Sequence, residues 1–147
     1  YHGACLCGSV QIRVTAPPLM TMACHCRDCQ KMSAGAYTLT TMFPKDSVSF
    51  SGDFVIGGLR SSERTHYFCA SCLNIVYSQM RQAPERVNLR TSLLQDAAAF
   101  LPFIEIRTDE RLPWASTSAP HSFARQPASL AELQVLMTEY AQSFGRP

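Results

Sequence analysis

Seven cysteines in three tight groups are the residues of this chain best suited to chemistry. They are Cys5, Cys7, Cys24, Cys26, Cys29, Cys69 and Cys72. Two cysteines separated by one or two residues can turn both sulfurs towards a single ion, at the distance of about 2.3 Å found in tetrahedral zinc thiolates. An odd total in such close groups argues against a disulfide framework, because disulfides between near neighbours would close strained rings. The spacing therefore predicts metal ligation.

Zinc is the ion that these groups favour. Soft thiolates select zinc, cuprous copper or an iron–sulfur cluster, and zinc is typical of closed all-thiolate sites. An iron–sulfur cluster is the main alternative, but the spacing matches neither ferredoxin ligand pattern. We expect two zinc ions per chain. Binding them through seven thiolates would lower the formal net charge from +2 to about −1.

Four of the cysteines predict a closed structural zinc site. The C-x-C of Cys5 and Cys7 and the C-x-x-C of Cys69 and Cys72 are each half of a four-cysteine centre. Such a centre would join two distant parts of the chain and stabilise the fold.

The remaining motif, C-x-C-x-x-C, offers Cys24, Cys26 and Cys29 and no fourth cysteine. Three protein ligands with an open coordination position are typical of a catalytic zinc. A histidine could instead close this site and make it structural, with His66 the first candidate and His25 the second. Because His25 lies between two ligands, its ring should point away from their metal in an extended segment. The sequence leaves both interpretations open.

Length and composition describe an ordinary globular domain. The chain has 147 residues, 46% of them hydrophobic, which suits one domain with a single core. Its 13 basic and 11 acidic residues are balanced and scattered, which argues against a nucleic-acid partner. There is no apolar run of membrane-spanning length and no secretory pattern at the first residues. We therefore expect no membrane partner, and metal-ligating rather than disulfide-bonded cysteines indicate a cytoplasmic location.

Short runs with strand character predict a mainly β fold. They alternate in polarity or are rich in β-branched and aromatic residues, and turn residues separate them at intervals of about ten residues. The segment 24–29 is expected to be a loop. Strands are expected at 10–14, 37–43, 48–50, 64–68, 75–80, 87–89 and 103–107.

The last third of the chain changes in character. Residues 115–128 lack periodicity and predict an exposed linker after a zinc-binding β domain at 1–114. Ser129 and Glu132 form a capping box for a C-terminal amphipathic helix over 129–145. We expect this helix to pack on the same domain, with a homodimer surface as the alternative. Its apolar face would consist of Leu130, Leu133, Leu136, Met137, Tyr140 and Phe144.

Three motifs in order carry a family resemblance: GACLCGSV at 3–10, CHCRDCQ at 24–30 and FCASC at 68–72. Over residues 3 to 114 the chain resembles the glutathione-dependent formaldehyde-activating enzyme (GFA) and centromere protein V family. The resemblance implies a β-tent of antiparallel sheets built around the zinc sites. It also assigns the first and third motifs to the structural zinc and the middle motif to the catalytic zinc. One departure is Leu73, where the family usually has glycine; we expect the turn to shift to Asn74.

The resemblance also implies a reaction. The family joins glutathione to formaldehyde, giving S-(hydroxymethyl)glutathione, which makes a zinc-dependent carbon–sulfur lyase acting on a thiol and a small aldehyde the expected function. A thiol that reaches the open position would lose its proton at neutral pH. His25 is the candidate for proton transfer, with Gln30 and Lys31 nearby. The alternative is a non-catalytic zinc-binding module for protein interaction, since family membership alone does not fix the activity.

Overall fold

The computed structural model describes residues 1–59 and 61–144, and these residues form a mainly β fold. Two α-helices accompany the strands of the described residues: α1 (Arg27–Ser33) and α2 (Leu130–Ser143). The strands are β1 (His2–Ala4), β2 (Gln11–Val14), β3 (Met20–Cys24), β4 (Thr38–Pro44), β5 (Val48–Ser51), β6 (Phe54–Gly57), β7 (Arg64–Cys69), β8 (Ile75–Met80), β9 (Ala83–Arg90), β10 (Ile104–Ile106) and β11 (His121–Ser122).

The strands form two sheets. The small sheet has the order β1-β2-β5, and the large one the order β11-β10-β3-β4-β9-β8-β7-β6. Pairing is antiparallel except at β10, which runs parallel to both β3 and β11. The mainly β prediction is confirmed, and the parallel pairs of β10 are a local departure from its antiparallel pattern. Residues 91–103 make this departure possible, because they carry the chain from β9 back to the far side of β3.

Alternation along the strands places the core between the sheets. In β2, Ile12 and Val14 are buried while Gln11 and Arg13 are exposed, as a half-buried strand requires. One core cluster joins these residues to side chains of the large sheet, including Phe43, and thereby holds the two sheets together.

Helix α2 packs on the large sheet through part of the apolar face named above, whereas Leu130 of that face is 80% exposed. Leu136 and Tyr140 are buried, and the hydroxyl groups of Tyr140 and Thr21 are hydrogen-bonded at 3.0 Å. The cap of the helix is also confirmed, because the Ser129 hydroxyl accepts a hydrogen bond from the Glu132 amide at 3.1 Å. Gly145, where the sequence placed the helix end, lies outside the described residues.

Two connecting segments are more ordered than expected. The segment 24–29, expected as a loop, ends β3 and begins α1. The segment 115–128, expected as an exposed linker, contains β11 and a buried Ala115. Both apolar packing of Phe123 and hydrogen bonds attach it to the domain; for example, the Thr117 hydroxyl donates to Glu105 at 2.9 Å. No helix of the described residues is long and apolar enough to cross a membrane.

Candidate metal centres and the adjoining cavity

The four cysteines of the first and third motifs come together in space. The sulfurs of Cys5, Cys7, Cys69 and Cys72 all lie within 4.8 Å of one another. The Cys5 and Cys7 sulfurs are 3.6 Å apart, and those of Cys7 and Cys69 are 3.8 Å apart. Bonds of about 2.3 Å in tetrahedral geometry require sulfur separations of about 3.8 Å. The donor set and its spacing therefore fit a four-thiolate zinc.

Backbone hydrogen bonds shape both turns of this group. In the first turn, the amide of Val10 donates to the Cys5 sulfur at 3.2 Å. In the second, the amide of Leu73 donates to the Cys69 carbonyl at 3.0 Å, and Leu73 takes the left-handed conformation with φ 57°. The expectation that the turn shifts to Asn74 was wrong. Asn74 instead accepts a hydrogen bond from the Leu6 amide through Oδ1 at 3.2 Å, which joins the two turns.

The three cysteines of the middle motif form a second group. Cys24 ends β3, Cys26 caps the N-terminus of α1, and Cys29 lies in its first turn. Their sulfurs lie within 4.8 Å of one another, and no further His, Cys, Asp or Glu of residues 1–59 and 61–144 joins the group. The strand end and the helix start bring the ligands together, because the amide of Cys29 donates to the Cys26 sulfur at 3.4 Å.

The ionisation of these three thiols also suits a cation. Hydrogen bonding with Cys26 raises the pKa of Cys24, and hydrogen bonds from Cys24 and Cys29 lower the pKa of Cys26. Cys26 is therefore the thiol that ionises first, while Cys24 and Cys29 keep their protons, since three adjacent thiolates would repel one another. A bound divalent ion removes this conflict, and the group fits zinc by donor type and by charge.

His66 does not close the three-cysteine group. It lies on β7, is 1% exposed, and its Nδ1 has no hydrogen-bond partner in the described structure. Burial, followed by the charges of Arg64 and Arg90, lowers its pKa to about 4. The group in the described part of the chain keeps three protein ligands, which favours the open interpretation over the histidine-closed one.

His25 is fully buried and faces away from the cavity described below. Its Nε2 lies 3.1 Å from Oε2 of Glu105, and its ring centre is 5.2 Å from that of Tyr37. This position agrees with the expectation that the ring points away from the metal site of the neighbouring cysteines. The catalytic role of His25 stays a prediction, and the absence of the side chain from the cavity lining gives that role no support.

The polar residues that follow His25 hold the segment 24–29, which connects β3 to α1 and is called the cysteine loop below. Gln30 donates through Nε2 to the His25 carbonyl at 2.6 Å and to the Glu110 carbonyl at 3.0 Å. The amide of Arg27 donates to the Glu110 carboxylate at 2.8 Å, and Lys31 is exposed. These contacts make Gln30 a structural residue of the loop.

A cavity of about 370 Å³ lies beside the three-cysteine group. Its floor is one face of the large sheet, since alternate residues of β3, β4, β8, β9 and β10 line it. Gln126, Pro127, Ser129, Leu130 and Leu133, from the start of α2 and the segment before it, form one wall. The floor consists of Met22, Cys24, Thr38, Thr40, Met42, Ser78, Met80, Arg86, Asn88, Arg90, Ile104 and Ile106.

The cavity is rich in arginine and lacks acidic residues. Arg64, Arg86, Arg90 and Arg107 line it, and none of its described lining residues is Asp, Glu, His or Lys. Sequence reasoning missed these arginines because they come from two strands, β7 and β9, and a turn that are distant along the chain. Only the pairing of the strands brings them to one face.

The structure is that of a mainly β protein with two cysteine groups, each of which could hold a metal ion. The family model described as glutathione-dependent formaldehyde-activating enzyme matches residues 1–110, and the chain belongs to this family. A crystal structure of a Rhodobacter sphaeroides protein shares the fold with a TM-score of 0.54 at 19% identity, over 65% of this chain and 88% of that one. No curated protein matches the chain. Helix α2 and the cavity wall at residues 126–133 lie beyond the matched region.

Proposed function

We propose that the protein is a zinc-dependent carbon–sulfur lyase of the S-(hydroxymethyl)glutathione synthase type. It would act on glutathione and a small aldehyde such as formaldehyde. The observation that carries the proposal is the three-cysteine group on the lining of a cavity, with no fourth His, Cys, Asp or Glu ligand in the described part of the chain. The four-cysteine group, away from this cavity, would hold the structural zinc.

The reaction adds a thiol across a carbonyl bond. A carbon–sulfur bond forms, the π bond of the aldehyde breaks, and the proton that leaves the sulfur finally resides on the new hydroxyl group; the lyase direction reverses each change. Cys24, Cys26 and Cys29 would hold the zinc, and the bound ion would supply one exchangeable position that favours ionisation of an entering thiol near neutral pH. Because the three cysteine ligands are anionic, they would weaken the Lewis acidity of the ion, which favours thiolate delivery over carbonyl polarisation.

The side chains of the cavity position the reactants. Met22, Ile104 and Ile106 give an apolar surface next to Cys24, while Thr38 and Thr40 offer hydroxyl groups on the neighbouring strand. The described lining has no side chain other than cysteine that titrates near neutral pH. Proton exchange with solvent therefore completes the reaction, and the main contribution of the protein is to hold thiolate and aldehyde together.

Cobalt substitution tests whether the three-cysteine group accepts a thiol. Glutathione is titrated into the cobalt-loaded protein while the sulfur-to-cobalt charge-transfer bands are recorded. We expect a saturable difference spectrum with one equivalent of glutathione per chain. Cys26→Ser should abolish this difference, whereas Cys7→Ser, in the other group, should retain it while altering the bands present before thiol is added.

Catalysis is then measured as the exchange rate between formaldehyde and S-(hydroxymethyl)glutathione, by magnetisation-transfer NMR. The zinc-loaded protein should accelerate exchange above the uncatalysed rate, and Cys26→Ser should not. A protein whose cobalt spectrum ignores every thiol would be a zinc module for protein interaction, and the enzyme proposal would then be abandoned.

A further inference from the structure

The cavity floor changes from apolar to cationic across the large sheet. On the side of β10 and β3 it presents Met22, Ile104 and Ile106. On the side of β9 and β7 the cavity lining presents the arginine cluster, by which we mean Arg64, Arg86 and Arg90. The three-cysteine group lies at the apolar end, so a ligand that reaches from one end to the other meets both environments.

Two members of the cluster have no acidic partner. No carboxylate of the described residues lies within 4.0 Å of Arg64 or Arg90. The Arg90 guanidinium group donates a hydrogen bond to the Thr40 hydroxyl at 3.2 Å. The hydrogen-bond partner of the Arg64 guanidinium group in the described structure is the Met80 sulfur, at 3.5 Å. Both guanidinium groups therefore keep positive charge that no protein carboxylate neutralises.

Arg107, which lines the cavity beside the three-cysteine group, differs from Arg64 and Arg90 because it has acidic partners. It pairs with Glu110, and its Nε lies 3.5 Å from a carboxylate oxygen of Asp109. The protein thus neutralises the arginine beside the cysteine loop and leaves the arginine cluster available for a ligand.

Two further polar atoms of the floor lack partners. Asn88 is 4% exposed, and its Oδ1 accepts no hydrogen bond from the described residues. The side chain of Arg86 is 12% exposed, its Nε has no hydrogen-bond partner there, and the nearest carboxylate, that of Glu85, is 3.9 Å away. Buried polar groups without partners are rare because each loses its bonds to water, so these atoms indicate an acceptor and a donor for a bound molecule.

Strand register places Arg90 near the three-cysteine group. Met22 pairs with Thr40, and Thr40 pairs with Arg90, so Arg90 lies two strands from β3. Two strand spacings amount to about 10 Å. Since the arginine side chain covers part of this distance, a molecule whose sulfur is at the three-cysteine group can also place a carboxylate on the guanidinium group.

We infer that the arginine cluster and Asn88 form a recognition subsite for the carboxylates and N–H groups of a peptide-like thiol, and that they exclude neutral thiols. This inference rests on the proposed function, because it takes the sulfur of the same ligand to the three-cysteine group. A carboxylate on Arg64 and Arg90 forms charge-assisted hydrogen bonds and neutralises half-buried cations. The amide N–H groups of the ligand satisfy Asn88.

The test uses a probe that cannot bind metal through its sulfur. S-methylglutathione keeps both carboxylates and all N–H groups, and its dimethyl ester keeps the shape without the anionic charge. Binding to the zinc-loaded protein is measured by isothermal titration calorimetry at two salt concentrations. We expect the acid to bind, the ester to bind at least about ten-fold more weakly, and added salt to weaken only the acid.

Single substitutions locate the subsite. Arg64→Gln and Arg90→Gln should each weaken S-methylglutathione binding about ten-fold, the loss expected for one charge-assisted hydrogen bond. Asn88→Asp keeps the side-chain volume but places a carboxylate among the arginines, and should weaken binding at least as much. Arg13→Gln, on the exposed face of β2, removes the same charge elsewhere and should leave binding unchanged.

The outcomes separate this inference from the proposed function. Equal binding of acid and ester, or wild-type affinity in Arg64→Gln and Arg90→Gln, would overturn the subsite. If the arginine variants lose zinc but still bind S-methylglutathione normally, the cluster serves the metal and the inference is also overturned. If an arginine variant does not fold, the affinities of the wild-type protein for S-methylglutathione and for its dimethyl ester still test the subsite. A cobalt spectrum that ignores thiols overturns only the proposed function.

Discussion

Glu105 and His25 form a buried pair that connects β10 to the cysteine loop. His25 Nε2 lies 3.1 Å from Glu105 Oε2, and the two side chains are 0% and 7% exposed. Glu105 also accepts hydrogen bonds from Thr117 at 2.9 Å and Arg111 at 3.1 Å. One carboxylate therefore holds the loop between Cys24 and Cys26 against β10 and the segment that follows.

Replacing this carboxylate should destabilise the domain. Burial favours the neutral acid, but hydrogen bonds from Ser122, Thr117 and His25 outweigh it and hold the pKa of Glu105 below its ordinary value. We expect Glu105→Gln to lower the free energy of unfolding by about 2 to 4 kcal/mol at neutral pH, measured by urea denaturation. Glu85→Gln, with a side chain 70% exposed, is the matched control and should change stability by less than about 0.5 kcal/mol.

The pH dependence of the same pair has a definite sign. Because the folded pKa of Glu105 lies below its unfolded value, the carboxylate contributes its stability above the unfolded pKa and loses it as pH falls through the folded pKa. The difference between wild type and Glu105→Gln should therefore shrink in acid. A difference that stays constant down to pH 3 would contradict the assignment.

The candidate metal groups could be predicted from the sequence because their ligands are close neighbours. Spacing alone divided the cysteines into four and three, and the structure brings together the sulfurs of the same sets. The longer strands, such as β4 and β8, were predictable because β-branched and aromatic residues fill them. Strands β1 and β11, of three and two residues, are too short to show any period.

The rest of the site depends on long-range pairing, which no local pattern reveals. Arg64 and Arg90 meet the cavity only because β7, β8 and β9 are adjacent in the large sheet. Glu105 meets His25 because β10 runs parallel to β3. Helix α1 was missed because its seven residues begin within the ligand motif and are too few for an amphipathic period.

Leu73→Gly should stabilise the second cysteine turn. Leu73 has φ 57°, a region in which a side chain is strained, and it is 65% exposed, so little packing is lost with it. Relief of about 1 to 2 kcal/mol exceeds the entropy that glycine adds to the unfolded chain, about 0.5 to 1 kcal/mol. We expect a net gain of about 0.5 to 1 kcal/mol in thermal or urea unfolding.

Leu6→Gly is the matched control for that substitution. Leu6 is 85% exposed in the first cysteine turn and does not have positive φ. Without strain to relieve, glycine there should lower stability by a few tenths of a kcal/mol up to about 1 kcal/mol. Loss of stability in both variants would show that Leu73 is not strained.

His66 should make stability fall as the pH is lowered. Its folded pKa is about 4 against an ordinary value of 6.5, because burial and then the charges of Arg64 and Arg90 oppose protonation. Below the pKa of His66 in the unfolded chain, the unfolded state binds a proton at His66 and the folded state does not. The free energy of unfolding therefore begins to fall at that pH and stops falling near the folded pKa. From pH 7 to pH 5 the loss should reach about 1 to 2 kcal/mol.

His66→Gln isolates this effect. All other titrating groups remain in the variant, so the difference between the two pH profiles belongs to His66. The wild-type profile should be steeper than that of His66→Gln between pH 7 and pH 5 in urea denaturation with zinc present. Parallel profiles would show that His66 accepts a proton in the folded state.

Metal removal should distinguish the two cysteine groups. The four-cysteine group joins turns 62 residues apart, between Cys7 and Cys69, and Cys69 is fully buried in the core. The three-cysteine group lies within six residues beside a cavity and has one thiolate fewer. A chelator should therefore release one zinc per chain quickly, and a chromogenic zinc indicator should follow the second release much later.

The two releases should differ in their effect on Tm. Loss of the first zinc, or Cys26→Ser, leaves the sheets joined and should lower Tm by a few degrees. Loss of the second zinc, or Cys69→Ser, removes a long-range cross-link whose binding energy contributes to folding, and should lower Tm by about 10 °C or more. If Cys26→Ser is as destabilising as Cys69→Ser, both groups are structural, and the division between a structural and a catalytic zinc fails.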